Sequence, residues 1–293
     1  MAIQPDADTD IDTDAALLRR PFALAVAPNG ARKTHADHAR LPITPDELAR
    51  CARECVDAGA AMIHLHVRKA DATHSLEVAD YEPAIAAVRR AVGQNLVLQL
   101  TTEAVGVYQP PQQIAMVQAL RPEAASVAVR ELVPDDTALP AAAAFFQWMH
   151  REHVVAQYIL YDASDVRRYA ALRDSGAIPD GRHWVLFVLG RYSAGQKSSP
   201  TDLLPFLAAW RETGLDQRGI EWAVCAFGKQ EADCAAAAVM LGGHARIGFE
   251  NNMTLPDGAV APDNAGLLRA VRTPLTSLGY AAMTADDLRA RFA

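Results

Sequence analysis

The sequence lacks the features that mark membrane, secreted and nucleic-acid-binding proteins. No stretch reaches the roughly 18 uninterrupted apolar residues of a membrane-spanning helix, and no basic-then-apolar segment of the signal-peptide kind opens the chain. The net charge is −7, with no long run of lysine and arginine, although contacts to nucleic-acid phosphates need such clusters. We therefore expect a soluble, cytoplasmic protein that binds neither nucleic acid nor membrane.

Cysteine pairs and glycine-rich motifs are also missing. Cys51, Cys55, Cys225 and Cys234 form no Cys-x-x-Cys pair, so neither a disulfide framework nor a cysteine zinc site is indicated. No Gly-x-Gly-x-x-Gly motif follows the first apolar run, which removes the usual support for a dinucleotide-binding sheet. The chain is 51% hydrophobic over 293 residues, which is enough for one large domain with a well-buried core.

The chain divides into an acidic beginning and a long alternating part. Aspartates occupy every second position from Asp6 to Asp14. Such a run buries no apolar face, so residues 1–20 are predicted to be a disordered acidic tail. Residues 21–293 alternate short apolar runs with amphipathic segments, as expected of a single (β/α)₈ TIM barrel. Periodicity alone leaves a doubly wound open sheet as the alternative.

The predicted elements follow from this alternation. The eight strand candidates are Phe22–Ala27, Met62–Val67, Leu96–Thr101, Ser126–Val129, Val154–Leu160, Trp184–Leu189, Glu221–Cys225 and Ala245–Phe249. The eight helix candidates are Pro45–Ala58, Val78–Val92, Pro111–Leu120, Leu139–His150, Ala163–Ser175, Pro200–Thr213, Lys229–Leu241 and Asn264–Thr276.

Two histidines share one face of the second strand. Because side chains alternate along a strand, Met62, His64, His66 and Arg68 lie on the face that points into a barrel. The imidazoles come last along the strand, near the end where barrel active sites are built. Two imidazoles at this spacing can bind one metal ion, but buried histidines that hydrogen-bond to the backbone explain such a pair equally well.

The last strand offers a matching carboxylate. Arg246, Gly248 and Glu250 share its inward face, and charged groups there are costly to bury without partners. An internal ion pair between Arg246 and Glu250 is one interpretation. In the other, Glu250 is a third metal ligand and Arg246 binds an anionic substrate. Two histidines and one glutamate leave an open coordination position, as in catalytic zinc sites.

Further polar residues follow other strands. Thr101 and Glu103 alternate inward at the end of the third strand, and Asn29 follows the first. Taken alone, each of them is more readily explained by rim solvation or helix capping than by a functional role. The loop Gly190–Lys197 carries Arg191 and Lys197, which suit CoA phosphates but are also ordinary in a solvated loop.

Together these motifs resemble those of the β-keto acid cleavage enzymes over residues 22 to about 292. The most specific part is the pair HLHVR and GGHxRxGFE, in that order and at that separation. The motifs are Pro42–Pro45, Gly59–Ala60, Ile63–Arg68, Thr101–Gly106, Phe187–Gly190, Gly242–Glu250 and Asp263–Asn264.

The resemblance implies a zinc-bearing barrel, usually a homotetramer, with His64, His66 and Glu250 as ligands. Zinc, manganese, cobalt and nickel are not distinguished by such ligands. The activity it implies converts a β-keto acid and acetyl-CoA, the co-substrate, into acetoacetate and a new acyl-CoA by retro-Claisen chemistry. Arg246 would hold the substrate carboxylate or a developing oxyanion. Thr101 falls where the family has a hydroxyl near the reacting carbonyls.

Three positions depart from the best-studied family member. Asn251 replaces an acidic residue proposed as the base, Arg32 replaces a glutamate that contacts a substrate amine, and Glu131 replaces a threonine. We therefore expect Glu103 or Glu131 to transfer protons, and a substrate end that is neutral or anionic near Arg32. The residues assigned to substrate binding are Asn29, Arg32, Thr102 and Asn251.

Two other functions fit the same residues. A zinc-dependent hydrolase would use the metal to generate hydroxide and Glu103 or Glu131 as a base. A non-catalytic metal-binding protein would have kept the ligands and lost the base at Asn251. The acyl chain of the substrate is not evident from the sequence.

Overall fold

A closed barrel of eight parallel strands forms the centre of the computed structural model, which describes residues 19–181 and 183–292. The closed barrel confirms the predicted TIM barrel over the open sheet. The acidic run from Asp6 to Asp14 lies outside the described residues. The strands are β1 (Leu24–Val26), β2 (Met62–Leu65), β3 (Val97–Leu100), β4 (Ala124–Ala128), β5 (Val155–Leu160), β6 (Trp184–Leu189), β7 (Glu221–Ala226) and β8 (His244–Ile247).

Helices surround the barrel in the usual alternation. The α-helices are α1 (Pro45–Asp57), α2 (Val78–Val92), α3 (Pro110–Leu120), α4 (Val129–Leu132), α5 (Leu139–Arg151), α6 (Ala163–Asp174), α7 (Leu204–Glu212), α8 (Glu231–Met240), α9 (Asn264–Ser277) and α10 (Ala285–Phe292). Single 3₁₀ turns occupy Pro200–Leu203 and Leu215–Gln217. Among the described residues, no helix is both long and apolar enough to cross a membrane.

The strand faces divide the core into two layers. Ile63, Leu65 and Ile247 pack between the strands and the helices. Small or apolar side chains such as Ala25 and Met62 fill the barrel interior. The two faces are those that the sequence predicted. A one-residue change of register would have exchanged them, so the predicted register is correct. The helix α10, which the sequence analysis missed, covers the amino-terminal end of the barrel through contacts such as Phe292 on Trp184.

The second predicted strand is shorter than expected. β2 ends at Leu65, and Val67–Arg68 pairs with His74–Ser75 in a small antiparallel hairpin instead. As a result Arg68 is drawn away from the imidazoles, and its guanidinium donates to the backbone oxygens of Lys33 and Ala72 at 3.1 and 2.9 Å.

Two other predicted boundaries changed for local reasons. The candidate helix Pro200–Thr213 divides into a 3₁₀ turn and α7, because Pro205 in the first turn of α7 has no backbone N–H to continue the earlier turn. The fourth strand ends at Ala128, and Val129 begins the short helix α4. This helix carries Glu131.

Gly248 makes the turn that connects β8 to Glu250. Its φ is +142°, and a Cβ atom there would lie 2.4 Å from the backbone oxygen of Ala27. The same oxygen accepts the backbone N–H of Glu250 at 3.1 Å. Glycine at this position therefore lets the last strand approach the first closely enough to place Glu250 over the barrel.

We expect Gly248→Ala to lower the free energy of unfolding by about 3 kcal/mol, because the methyl group meets a backbone oxygen and the φ strains an L residue. Gly176→Ala is the matched control, since Gly176 has φ +76° and a Cβ added there would meet no atom within 4 Å. That control is expected to lose about 1 kcal/mol. Denaturant titration measures both, and equal losses would contradict the close approach at Gly248.

Candidate active site

One cleft opens at the carboxyl ends of the barrel strands, the end at which TIM-barrel active sites lie. Together with the open solvent at its mouth it spans about 850 Å³, and all eight strands or the segments after them contribute side chains to it. The segments after β1, β2, β3 and β8 supply mostly charged and polar groups. The opposite wall is largely apolar and consists of Ala128, Ile159, Tyr161, Val188 and Phe227.

His64, His66 and Glu250 meet on the polar side of this cleft. The two Nε2 atoms lie 3.1 Å apart. Glu250 Oε2 lies 3.3 Å from the Nε2 atom of His66 and 3.7 Å from that of His64. Because β1 pairs with both β8 and β2, ligands from the last strand and the second strand are separated by a single strand.

The protonation states of these groups suit a metal site. Burial and the nearby Arg246 hold the pKa of His64 well below its usual value. Burial would raise the pKa of Glu250, but Arg246 and His66 hold it well below its usual value. Metals bind neutral imidazole and ionised carboxylate, so both residues are ready to act as ligands.

Gln99 sets the tautomer of His64. Its Oε1 lies 2.8 Å from His64 Nδ1, and its amide nitrogen donates to Gln157 Oε1 at 3.1 Å. This amide chain turns the oxygen of Gln99 toward the imidazole, which then donates from Nδ1 and keeps the lone pair on Nε2. A partner of this kind typically orients a metal-binding histidine.

The triad passes a geometric test for a tetrahedral ion. For ligand atoms about 2.05 Å from zinc, neighbouring ligands of a tetrahedron are about 3.3 Å apart. The three observed separations range from 3.1 to 3.7 Å. Glu250 Oε2 is buried without a hydrogen-bond partner, which is the state expected of an atom directed at a cation. His64, His66 and Glu250 therefore fit one divalent ion.

Arg246 forms the predicted ion pair with Glu250 and also keeps donors that could bind an anion. Its guanidinium donates to Glu250 Oε1 at 3.0 Å and to Cys225 Sγ at 3.3 Å, so the internal ion pair exists. The same nitrogen, Nη2, makes both bonds, while Nε and Nη1 are buried without partners. A buried cation with unused donors on the cleft wall is suited to an anionic group.

Thr101 and Glu103 follow β3 into the cleft. Thr101 Oγ1 accepts the backbone N–H of Glu103 at 3.0 Å, which leaves its own proton available to the cleft. Glu103 Oε1 lies 3.3 Å from Arg191 and 3.6 Å from Arg32, while its Oε2 lies 3.9 Å from His66 Nδ1. Glu103 therefore sits in a ring of positive or hydrogen-bonding groups.

The side chains of Glu131 and Thr102 are both fixed by hydrogen bonds to other parts of the protein. Glu131 Oε2 accepts from the backbone N–H of Ala104 at 3.1 Å and from Gln113 at 2.7 Å. Burial, helped by the nearby Glu103 and opposed by the Ala104 hydrogen bond, raises the pKa of Glu131. The hydroxyl of Thr102 is used by the fold, since it donates to the backbone oxygen of Ser126 at 2.8 Å.

The two predicted asparagines differ in position. Asn29 lines the cleft, and its amide donates to the backbone oxygens of Pro42 and His66 at 2.8 and 3.2 Å. Asn251 does not line the cleft. Its side chain is buried, and neither of its amide atoms has a hydrogen-bond partner.

Sequence reasoning missed several groups at the cleft. Lys33 donates to the backbone oxygens of Phe249 and Glu250 at 2.6 and 2.8 Å, and burial lowers its pKa. Gln113 lies on α3 and showed no motif, so no local signal marked it. Of the loop after β6, Arg191 lines the cleft and Lys197 does not.

The matching family model is that of the β-keto acid cleavage enzymes, over residues 21–293. A 3-keto-5-aminohexanoate cleavage enzyme from Acetoanaerobium sticklandii is 28% identical, over 89% of this chain and 93% of its own length. A 3-oxoadipate:acetyl-CoA acetyltransferase from Cupriavidus necator is 25% identical, over 93% of this chain and 95% of its own.

The fold has solved counterparts. The apo structure of ObcA superposes with a TM-score of 0.68 at 17% identity, over 86% of this chain and 65% of that one. At this identity the likeness concerns the barrel alone. The family match, by contrast, spans nearly all the residues from which the barrel and the cleft are built. The chain belongs to the β-keto acid cleavage enzyme family.

Proposed function

We propose that the protein is a zinc-dependent β-keto acid cleavage enzyme that uses acetyl-CoA as co-substrate. The observation that carries the proposal is the convergence of His64, His66 and Glu250 beside Arg246, whose guanidinium keeps unused donors. The acetyl-CoA named in the description of the Cupriavidus relative supports the co-substrate. A keto acid R–CO–CH₂–COO⁻ and acetyl-CoA would give R–CO–S-CoA and acetoacetate by retro-Claisen chemistry.

The metal held by His64, His66 and Glu250 and the guanidinium of Arg246 would bind different parts of the keto acid. A divalent ion at such a site supplies Lewis-acid stabilisation of negative charge on a carbonyl oxygen. Arg246 would bind the substrate carboxylate through its unused Nε and Nη1 donors, beside the ligand set. Thr101 would donate its free hydroxyl proton to a reacting carbonyl oxygen.

The carboxylates and the remaining polar groups have separate roles. Glu103 or Glu131 would move protons, since both line the cleft. Arg32, which is 57% exposed at the mouth, would contact a neutral or anionic end of the substrate. Asn29 and Thr102 would shape the binding surface, mainly by holding backbone segments. Asn251, which the sequence analysis assigned to substrate binding, does not line the cleft and would instead hold the turn that carries Glu250, where its backbone N–H donates to the oxygen of Gly248 at 2.8 Å.

Acetyl-CoA would enter over the loop after β6. Arg191 is the best-placed cation there, because it lines the cleft and its guanidinium lies 5.4 Å from the ring centre of Phe227. We also propose a homotetramer, which rests on the resemblance and which light scattering would measure.

The central test combines a panel of β-keto acids with acetyl-CoA and the metal-loaded protein. We expect acetoacetate release that requires acetyl-CoA. Glu250→Gln should lower both metal content and turnover about 100-fold, since the neutral amide is a poor ligand. Glu82→Gln, on the exposed side of α2, is the control. Turnover without acetyl-CoA would indicate the hydrolase instead, and metal content without any turnover would indicate a non-catalytic binding protein.

We expect Gln99→Met to weaken zinc binding about 10- to 100-fold, because His64 loses the acceptor that fixes its tautomer. Competition with a chromophoric chelator measures the affinity. Gln118→Met makes the same change at an exposed site on α3 and should bind zinc as the wild type does. Unchanged zinc affinity in Gln99→Met would argue against the role of Gln99.

Replacing Arg32 with Ala should raise KM for the keto acid about tenfold and change kcat less, because a charge-assisted contact to the substrate end is removed. Arg32→Lys should recover part of the loss. Arg53→Ala, an exposed arginine on α1, serves as control. A KM that stays the same across all tested keto acids would remove Arg32 from substrate binding.

A further inference from the structure

The fold holds one oxygen of Glu131 and leaves the other to the cleft. Oε2 accepts two hydrogen bonds, from the backbone N–H of Ala104 and from Gln113 Nε2. A carboxylate oxygen with two donors directed at it does not carry the proton. Glu131 lines the cleft, so any proton that it gains or releases is carried by Oε1.

The orientation of the Gln113 side-chain amide follows from its two partners. It is fully buried, and its amide nitrogen donates to the backbone oxygen of Thr102 at 2.5 Å and to Glu131 Oε2 at 2.7 Å. The oxygen of Thr102 can only accept, so the NH₂ group and not the amide oxygen faces both partners. Gln113 thereby ties Glu131 to the segment that carries Thr101 and Glu103.

Glu103 has protein groups facing both of its carboxylate oxygens. Its Oε1 lies close to two guanidinium groups, and its Oε2 is directed toward His66 Nδ1, a buried atom without another partner. A carboxylate next to a metal-binding histidine usually orients the imidazole. Both oxygens of Glu103 therefore face protein groups, whereas Oε1 of Glu131 is left to the cleft, and burial raises the pKa of Glu131.

We propose that Glu131 is the acid–base catalyst of this cleft, that Gln113 is its positioning residue, and that Glu103 positions His66. The proposal rests on the proposed function, and it decides between the two carboxylates that the function left open. Glu131 lines the same cleft as the apolar side chains of Ala128, Ile159 and Val188, along which the substrate chain would extend.

The proton would return to the carbon from which it came. Ionised Oε1 takes a proton from C2 of the keto acid, so the C–H bond breaks, an O–H bond forms, and the electron pair passes into the neighbouring carbonyl. C2 then bonds to the acetyl carbon and CoA thiolate leaves. The thiolate adds to the keto carbon, and the bond from that carbon to C2 breaks. Neutral Glu131 then returns the proton to C2 of acetoacetate.

Several charged or titratable groups surround Glu131. Glu103 reaches it from the segment after β3, Tyr161 from the end of β5 and Arg191 from the loop after β6. On its own helix, Arg130 is paired with Asp162 and Asp165 at the start of α6. Glu103 raises the pKa of Glu131, whereas Arg191 and the Gln113 hydrogen bond lower it and so favour the ionised form that would act as base.

The experiment measures acetoacetate formation against pH, and deuterium exchange at C2 of the keto acid in D₂O without acetyl-CoA, above the rate in buffer. Glu131→Gln should lower kcat about 10²- to 10⁴-fold, abolish the exchange and keep the bound metal. Gln113→Met removes a donor to the ionised form, so the pKa of Glu131 rises. The acidic limb of the kcat/KM profile should then move to higher pH, with activity recovered above it.

The exposed changes Glu82→Gln and Gln118→Met are the matched controls, and metal content with melting temperature tests whether each variant folds. If Glu131→Gln keeps the wild-type kcat, or Gln113→Met leaves the acidic limb in place, the assignment is overturned while the proposed function stands. If the wild type catalyses neither turnover nor exchange, both are overturned. If Glu131→Gln does not fold, the pH profile of Gln113→Met decides.

Discussion

Closure of the barrel brings the candidate active site together. β1 pairs with β8 on one side and with β2 on the other, so Ala25 is the register partner of both Arg246 and Met62. The small side chains of β1 leave space between these strands for the arginine and the imidazoles. Gly248 then lets the chain turn against the backbone of β1 and place the carboxylate of Glu250 over the histidines. An open sheet would leave the first and last strands at opposite edges.

The free-energy cost of burying charge explains why Arg246 and Glu250 form an ion pair in this cleft. Arg246 and Glu250 are removed from water together, and each leaves one side of its polar group without a protein partner. A buried ion pair contributes little net stability, so unused donors and acceptors beside it are unfavourable unless a ligand binds them. In this barrel both residues line the same cleft, at the carboxyl ends of the strands.

Two glutamates on neighbouring segments have different surroundings. Glu103 faces guanidinium groups and an imidazole, whereas Glu131 is buried beside an apolar wall with one oxygen tied to an amide and a backbone N–H. Both oxygens of Glu103 face protein groups, whereas the protein holds Glu131 through Oε2 alone, and burial raises the pKa of Glu131. One cleft thus contains two carboxyl groups whose surroundings differ in how much of each group the protein occupies.

Local pattern in the sequence determined the strand order, the inward faces and the metal-ligand candidates His64, His66 and Glu250, because alternation along a strand depends only on neighbouring residues. The family followed from the same motifs. The tertiary structure decided what depends on distant partners. These features are the end of β2, the short helix α4 that carries Glu131, and the hydrogen bonds of the buried amides of Gln99 and Gln113. Glutamine has no characteristic spacing, and its hydrogen bonds join elements that meet only after the barrel closes.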